Sequence, residues 1–489
     1  FGSSFSAVWF LLDYSRHAAC VPPMSRALEA RSDRPVHGAI LLGVTFVLSG
    51  AVAWLVITVA GVAGAVHYSV APLLCILPVN IVFRILLFGR LRVSANAIPL
   101  EQSWPKSAEG VKVSVIVPAY NEEGCIERTC RAALSSTSAG PDRFELVVVD
   151  DQSSDRTWEI ISDDSAGGVA VDPRMVPVRG GSRDGADWKG KNWAVWQGFL
   201  KATGDVLIFM DGDVILQNGA LESLLHRFFA RDSVWLTVCC FSDFKTTAEY
   251  IFGLPITVGV MQALAVPRVD LGQQVYAYGQ LNVFRRQIYE QLGGHRAVGH
   301  VVAESHELAK LAVAANVKID AAFAFAQTRL EWYTDFHDCW QGQLKSICAR
   351  LKPKPKVSRF LVVAFAIIYV IFLWLPWVML PFQIVWLIDG SSDDAVALCS
   401  AALAGIQISL VFVQRVLARI KCGYKLQLWY VEPLTAILVA AMLIRAAVHP
   451  QAKWKSRSTS GSNKQPPRML TADGLKSVLP WSSAKVVPV

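Results

Sequence analysis

Between residues 111 and 349, short β-branched runs alternate with helical patterns, and three of those runs end in clusters of polar and acidic residues. Val113-Ser114-Val115-Ile116-Val117 reads as a buried strand and Glu122 to Ser135 as a helix. Phe144 to Val149 reads as the next strand, Asp155 to Ser162 as a helix, and Val206 to Met210 as a third strand. Parallel strands need a crossover, usually helical, so this alternation selects an α/β fold with a mainly parallel, Rossmann-like sheet.

In such sheets ligands bind at the carboxyl ends of the strands. Pro118-Ala119-Tyr120-Asn121-Glu122-Glu123 follows the first strand, Asp150-Asp151-Gln152-Ser153-Ser154-Asp155 the second, and Asp211-Gly212-Asp213 the third. Carboxylates at adjacent strand ends converge in space, which is costly without a cation or hydrogen-bond donors. A hard divalent ion with oxygen ligands and bridging phosphates is the natural occupant. Alone, each cluster has a bland explanation: a solvated turn for Asp211-Gly212-Asp213, a helix cap for Asp150-Asp151. In this order, on consecutive strand ends, they read as one site.

The flanks differ from this middle segment. The 489-residue chain is 53% hydrophobic with mean hydropathy +0.37, and the apolar excess gathers near both ends. Gly38 to Val66 is almost wholly apolar and long enough to cross a bilayer. A weaker stretch from Ser69 to Phe88 is interrupted by Pro78 and Arg84. With Arg26, Arg31 and Arg34 before the first stretch and Arg90 and Arg92 after the second, the expected form is a hairpin with both ends cytosolic. The chain begins at Phe1; Met24 is an alternative start, and residues 1–23 are set aside. A basic, Pro-broken linker, Leu351 to Lys356, leads into three further apolar segments at 360–388, 395–413 and 429–448. Asp389, Asp393 and Asp394 mark an outside loop; Arg415, Arg419, Lys421 and Lys425 mark an inside one. Trp374, Trp377, Trp386 and Trp429 stand where membrane-interface residues do. Glu432 and Pro433 suggest that the third segment lies partly in the interface. The expected division is a tail over 1–37, a transmembrane hairpin over 38–88, a catalytic domain over 111–349, transmembrane or interfacial helices over 360–448, and a basic flexible tail over 449–489.

The net charge of +8 sits beside apolar segments, which favours anionic lipid over nucleic acid. The 10 cysteines are scattered and form no CxxC pair, so a disulfide framework and a structural zinc site are both disfavoured. A transporter is disfavoured too, because the apolar segments carry few internal charges beyond Arg84 and Glu432.

Val115 to Glu123, Val149 to Thr157 and Asp211-Gly212-Asp213 together resemble the catalytic domain of glycosyltransferase family 2, of the GT-A type. Trp188-Lys189-Gly190-Lys191-Asn192-Trp193-Ala194 resembles the W-x-G-K-x-x-A segment of a membrane-bound subgroup. That subgroup holds hopene-associated, diaponeurosporenoate and, more distantly, ceramide glycosyltransferases. Gly279, Arg285-Arg286, Tyr289 and Gly293-Gly294-His295 match the stretch before their catalytic acid, and Lys453-Trp454-Lys455-Ser456-Arg457 resembles their W-K-G-R motif with Ser456 in place of Gly. The resemblance implies that Tyr120, Glu122 and either Asp150 or Asp151 contact the nucleoside. It implies that Asp213, with Asp211, holds Mg²⁺ or Mn²⁺ on the diphosphate and that Lys191 approaches the nucleotide.

The subgroup usually carries paired carboxylates after the Gly-Gly segment; here the row is Ala303-Glu304-Ser305-His306-Glu307-Leu308. Glu304 is the expected general base, with Glu307 as runner-up and a plain exposed helical pair as the bland alternative. His306 reads as a neighbour, and His295 and His300 as turn or acceptor-side residues. The Q-x-x-R-W motif of processive synthases has no match in Cys339 to Ser346. Trp332, Tyr333, Phe336 and Trp340 line a lipid entry or simply pack an amphipathic helix. The expectation is a multi-pass membrane enzyme with a cytosolic catalytic domain. It moves one sugar, with inversion, from a nucleotide donor (a UDP-sugar by preference) to a hopanoid, carotenoid, sphingolipid or polyprenyl acceptor. A polysaccharide synthase and a non-catalytic scaffold are the alternatives.

Overall fold

The apolar runs form strands because they are covered on both faces. β1 (Val113–Ala119), β2 (Phe144–Asp150) and β4 (Val206–Met210) are buried at nearly every position, as central parallel strands are. The computed structural model describes residues 78, 81–82, 96–183, 188–264, 275–331, 333, 335–351, 356–389, 394–426, 428–449, 453–454 and 457–458. The N-terminal hairpin expected over 38–88 thus lies, but for three residues, outside the described part, as does the tail over 1–37.

With β3 (Met175–Arg179), β6 (Trp235–Cys240), β7 (Leu281–Arg285) and β8 (Asp320–Ala324), these strands make a seven-stranded sheet in the order β3-β2-β1-β4-β7-β6-β8. Every pairing is parallel except those of β7, which runs antiparallel to both β4 and β6. The expectation of a mixed α/β fold with a mainly parallel sheet therefore holds. The period of two along each strand divides the core. Ile116, Val147, Val149, Leu207 and Phe209 pack on one face. Val115, Val117, Leu146, Val148, Ile208 and Met210 pack on the other, with α1 (Ile126–Ser135).

Two helix starts differ from expectation. The helix expected from Glu122 begins at Ile126, and that expected from Asp155 is α2, Thr157–Ile161. The reason is competition for backbone donors. Asn121 takes a φ of 51°, and the N–H groups of Asn121, Glu122 and Glu123 donate to Ser153 Oγ, Thr157 Oγ1 and Asp155 Oδ2. Side-chain oxygens stitch the two strand-end loops together instead of extending helices.

On the other face, α3 (Gly190–Lys201) lies close against β1 and β2. A Cβ on Gly198 would stand 2.6 Å from Ile116 Cγ2, so only glycine permits this approach. Beyond β4 come β5 (Val214–Leu216), α4 (Ala220–Ala230) and α5 (Thr247–Leu264). Then α6 (Arg286–Gln291), α7 (Gly294–Ala297) and α8 (Glu304–Ala314) follow β7. β9 (Thr328–Leu330) pairs antiparallel with β5.

The C-terminal part is helical: α9 (Phe336–Leu351), α10 (Lys356–Asp389), α11 (Asp394–Cys422) and α12 (Glu432–Val448). α10 is 34 residues long, roughly 50 Å at the α-helical rise. α11 packs beside it and returns to the α/β unit, where Tyr424 stacks on Phe241 with ring centroids 4.9 Å apart. α12 does not leave the α/β unit. Thr435 Oγ1 donates to Ile251 O of α5 at 2.6 Å, and Met442, Leu443 and Ala446 bury against Cys339, Leu344 and Cys348 of α9. The segments Leu398–Cys422 and Trp429–Val448 are long and apolar enough to cross a membrane, and the second is half buried within the protein. Trp374 and Trp377 pack on the entry to α12: Trp374 Nε1 donates to Pro433 O at 2.9 Å, and Trp377 meets Trp429.

Within the stretch expected as a tail over 449–489, β10 (Lys453–Trp454) pairs antiparallel with β11 (Arg457–Ser458), and β10 lies against α9.

Candidate active site

The sheet delivers the acidic clusters to one end, as its topology requires. Ala119 and Asp150 are register partners at the carboxyl ends of β1 and β2, and Asp151 N–H donates to Ala119 O at 2.8 Å. Asp150 Oδ1 accepts from Ser153 N–H at 3.1 Å, and Asp151 Oδ2 pairs with Arg183 at 3.0 Å. Asp150 Oδ2 is buried without a hydrogen bond. Tyr120 and Glu122 stand half-buried on the adjoining loop.

Asp211 follows β4 directly. Its N–H donates to Gln280 O at 3.0 Å, and the turn closes where Val214 N–H donates to Asp211 O at 3.1 Å. Thr129 Oγ1 of α1 donates to Gly212 O at 2.6 Å, and Glu331 N–H donates to Asp213 O at 3.0 Å. The loop is thus held from three sides by backbone and hydroxyl contacts, leaving its carboxylates to face the site.

Lys191 enters from the first turn of α3. Its Nζ stands 2.7 Å from Asp211 Oδ1 and 2.7 Å from Glu304 Oε1, with Gly279 O at 3.4 Å. A Cβ on Gly279 would lie 4.0 Å from both Lys191 Nζ and Ser305 Oγ. Glu304 opens α8 and is buried. Asn192, beside Lys191, donates from Nδ2 to the carbonyls of Val298, Gly299 and Val301, so the start of α3 is tied to the segment that precedes Glu304.

The charges follow from this geometry. Burial alone would raise the Glu304 carboxyl, but the charge and hydrogen bond of Lys191 outweigh it and hold Glu304 below its usual range. Burial opposes the Lys191 ammonium, yet Asp211 and Glu304 hold its pKa above the ordinary value. For Asp213 the balance falls the other way. Burial, then the charges of Asp211 and Glu122, push it up to about 7, and its Oδ1 is buried without a hydrogen bond.

His295 lines the same cavity as Lys191, Asp211 and Glu304. Gly293 and Gly294 carry φ of 78° and 53°, a left-handed pair that turns α6 into α7 and sets His295 under Tyr289. Tyr289 Oη accepts from His295 N–H at 2.9 Å and lies 2.8 Å from His295 Nδ1. The Tyr289 hydroxyl and Nδ1 share one hydrogen bond, whose direction follows the imidazole tautomer. Burial pushes the His295 pKa down to about 4, so the ring stays neutral at neutral pH.

Among the expected residues, Asp211, Lys191 and Glu304 meet directly, and Asp213 and Glu122 share their field. Asp150, Asp151 and Tyr120 sit at the neighbouring strand ends. Glu307 is paired with Lys310 at 3.3 Å on the same helix. His306 is placed against Tyr276, with ring centroids 6.0 Å apart. Sequence reasoning passed over Arg183 as the partner of Asp151, Gly279 as a neighbour of Lys191, and Lys345 of α9, whose charge acts on Asp211, Asp213 and Glu304.

The sequence model described as glycosyl transferase family 2 matches residues 114–293, the stretch that carries β1 to β7 and the acidic loops. Residues 114–293 belong to glycosyl transferase family 2. The 4,4'-diaponeurosporenoate glycosyltransferase of Staphylococcus haemolyticus is 29% identical over 219 residues, covering 42% of this chain and 54% of that protein. This chain thus spans about half the length of that relative. The dolichol-phosphate mannosyltransferase of Pyrococcus furiosus is 38% identical over 104 residues, 21% of this chain and 26% of that protein. Among solved structures, a mannosyltransferase from Pyrobaculum calidifontis in complex with GDP-mannose and Mn²⁺ covers 75% of this chain and 94% of its own, at 18% identity and a TM-score of 0.42.

Proposed function

We propose that this protein is a membrane-bound glycosyltransferase that moves one sugar from a nucleotide-sugar to a hydroxyl of a lipid. The observation that carries this reading is the bridge from Lys191 to Asp211 and Glu304, at 2.7 Å each, beside Asp213, whose Oδ1 is buried without a hydrogen bond. A diphosphate-holding end and a basic carboxylate are thereby brought within one side chain's reach.

Among the described residues no group of three or more His, Cys, Asp and Glu forms a metal cage. The residues still suit a hard divalent cation shared with a diphosphate, because Asp213 keeps a buried oxygen without a hydrogen bond and its pKa is raised by burial and by the charges of Asp211 and Glu122. Asp213, with Asp211, would hold Mg²⁺ or Mn²⁺. Bound there, the cation neutralises charge that develops on the leaving diphosphate. Lys191 adds a second positive charge at the same end. Tyr120, Glu122, Asp150 and Asp151 line the strand ends where the nucleoside binds. Glu304 accepts the proton of the acceptor hydroxyl as its oxygen bonds to the anomeric carbon. The bond from that carbon to the diphosphate breaks, and its electron pair leaves on the phosphate oxygen. A single displacement of this kind inverts the anomeric centre.

A lipid acceptor is supported by the surface of the C-terminal helices. Phe360, Ile368, Ile371, Val385 and Ile388 of α10 and Leu398 and Ile420 of α11 are all more than half exposed. Two adjacent helices with such faces suit hydrocarbon better than water. α10 and α11 are read as a pair that enters the membrane and returns. α12, resting on α5 and α9, lies at the interface, so the basic β10–β11 hairpin comes back to the catalytic side. With the apolar N-terminal stretches the protein is multi-pass, its catalytic domain cytosolic. The relative from S. haemolyticus, named for a carotenoid acid, is consistent with an apolar acceptor.

Membranes carrying the protein, supplied with labelled UDP- and GDP-sugars, test this reading. Label in the lipid extract that depends on Mn²⁺ or Mg²⁺ supports it; label in insoluble polymer, or none with any donor, rejects it.

A further inference from the structure

The segment that leads into Glu304 is held from α3. Between the end of α7 at Ala297 and the start of α8 at Glu304, residues 298–303 form neither helix nor strand. Asn192, fully buried in the first turn of α3, stands inside this segment. Its Nδ2 donates to the carbonyls of Val298 at 2.9 Å, Gly299 at 3.1 Å and Val301 at 2.8 Å. Three carbonyls around one nitrogen settle which end of the amide faces them, because only the NH₂ end donates. Two further contacts come from the same stretch of chain. Lys189 N–H donates to Gly299 O at 2.8 Å, and a Cβ on Gly299 would stand 2.7 Å from Trp188 Cε3.

The start of α8 has no side-chain cap, since Ala303 precedes Glu304. The placing of Glu304 therefore falls to the segment before it. Val298 O and Gly299 O also accept from Val301 N–H and Lys189 N–H. Val301 O, three residues before Glu304, takes the shortest of the Asn192 bonds. At the other end, Asn192 directly follows Lys191. One buried amide thus joins the two pieces of chain that carry the 2.7 Å pair of Lys191 and Glu304. The groups whose charges act on Glu304 are Lys191 of α3, Asp211 after β4, His295 of α7 and Lys345 of α9. Among them Lys191 is the one at ion-pair distance.

We propose that Asn192 is a positioning residue for Glu304, its amide holding the 298–301 segment so that the carboxylate meets Lys191 and the acceptor hydroxyl together. This rests on the reading of Glu304 as the base given above. Asn192 touches neither substrate nor cation in this role; it acts through the backbone that precedes the base.

The test is single-turnover transfer of labelled sugar into lipid as a function of pH. It uses membranes carrying the full chain, with UDP- and GDP-sugars and Mn²⁺, beside UDP and GDP affinity and the unfolding temperature. Asn192→Ala is expected to slow transfer at pH 7 about a hundredfold, the cost of misplacing a reacting group by roughly 1 Å. Affinity for the better-binding diphosphate should change by less than about threefold, as for an interaction used only in the transition state. Glu304 parted from Lys191 keeps the burial that raises its pKa and loses the charge that lowers it. The acid limb of the rate profile should therefore move to higher pH. A slower rate that follows only the folded fraction, with the acid limb in place, would make Asn192 a packing residue and overturn the proposal. Gly299→Ala pushes the same segment off the Trp188 ring and leaves the amide intact. It should move the limb in the same direction, and it decides the matter if Asn192→Ala does not fold: an unmoved limb then overturns the proposal. If Asn192→Ala transfers as the parent does while Glu304→Gln is slow, the positioning role falls and the base stands. If Glu304→Gln is as fast as the parent, both fall.

Discussion

Lys191 holds Glu304 by an ion pair of 2.7 Å, so the expected base of the reaction is also the partner of the cation expected at the diphosphate. The two ends of the proposed reaction are joined through this one side chain. A diphosphate that draws Lys191 toward itself would loosen its hold on Glu304 and make that carboxylate a stronger base at the moment the donor is in place.

The first prediction follows from the sign of that coupling. Lys191 keeps Glu304 below its usual range against the effect of burial. In Lys191→Met the Glu304 pKa therefore rises. The acid limb of the kcat/KM profile should move to higher pH, and kcat/KM at pH 7 should fall on the order of a hundredfold or more. A profile that drops uniformly without moving would contradict the coupling.

Asp213 sets a second pH dependence. Its pKa is raised to about 7, so it is ionised above that pH and protonated below it. Cation binding requires the ionised form. Mn²⁺ affinity, read by electron paramagnetic resonance, should rise between pH 6 and pH 8 in the parent chain. Asp213→Asn should bind Mn²⁺ weakly across the whole interval and show little change with pH.

How much of this was legible in the residues differs from one element to the next. β1, β2 and β4 were legible because buried parallel strands are short, apolar and β-branched, and their acidic ends follow from where such strands terminate. The reversed direction of β7 was not, since Leu281–Arg285 would look the same in either orientation. The late start of α1 was hidden because Ser153, Asp155 and Thr157, more than thirty residues away, take its donors. Asp211, Lys191 and Glu304 could be named from motifs, but their mutual distances arise from the placement of α3 and α8 on the sheet.

The Tyr289–His295 pair yields a stability prediction. Tyr289→Phe removes the acceptor for His295 N–H and the hydroxyl partner of Nδ1 in a buried setting. The loss should be about 1–3 kcal/mol, seen as a lower unfolding temperature, with Mn²⁺ binding retained. An unfolding temperature equal to the parent's would show that the two hydrogen bonds contribute nothing net.

Gly342 separates packing from charge. A Cβ there would overlap the Tyr333 ring at 2.2 Å. Gly342→Ala should cost about 1–3 kcal/mol of stability. The double change Gly342→Ala with Tyr333→Leu should recover part of that loss, because the overlapping ring is gone. Equal stability of the single variant and the parent would mean that Tyr333 is not held against α9.

The central claim is that Glu304 removes the acceptor proton while Asp213 and Lys191 hold the diphosphate. Single-turnover transfer of labelled sugar to extracted lipid, measured beside nucleoside diphosphate affinity in the same Glu304→Gln preparation, tests it most directly. The account predicts a transfer rate lower by about a hundredfold to ten-thousandfold, with diphosphate affinity in the presence of Mn²⁺ reduced by no more than a few fold. Transfer at the parental rate in Glu304→Gln would contradict it.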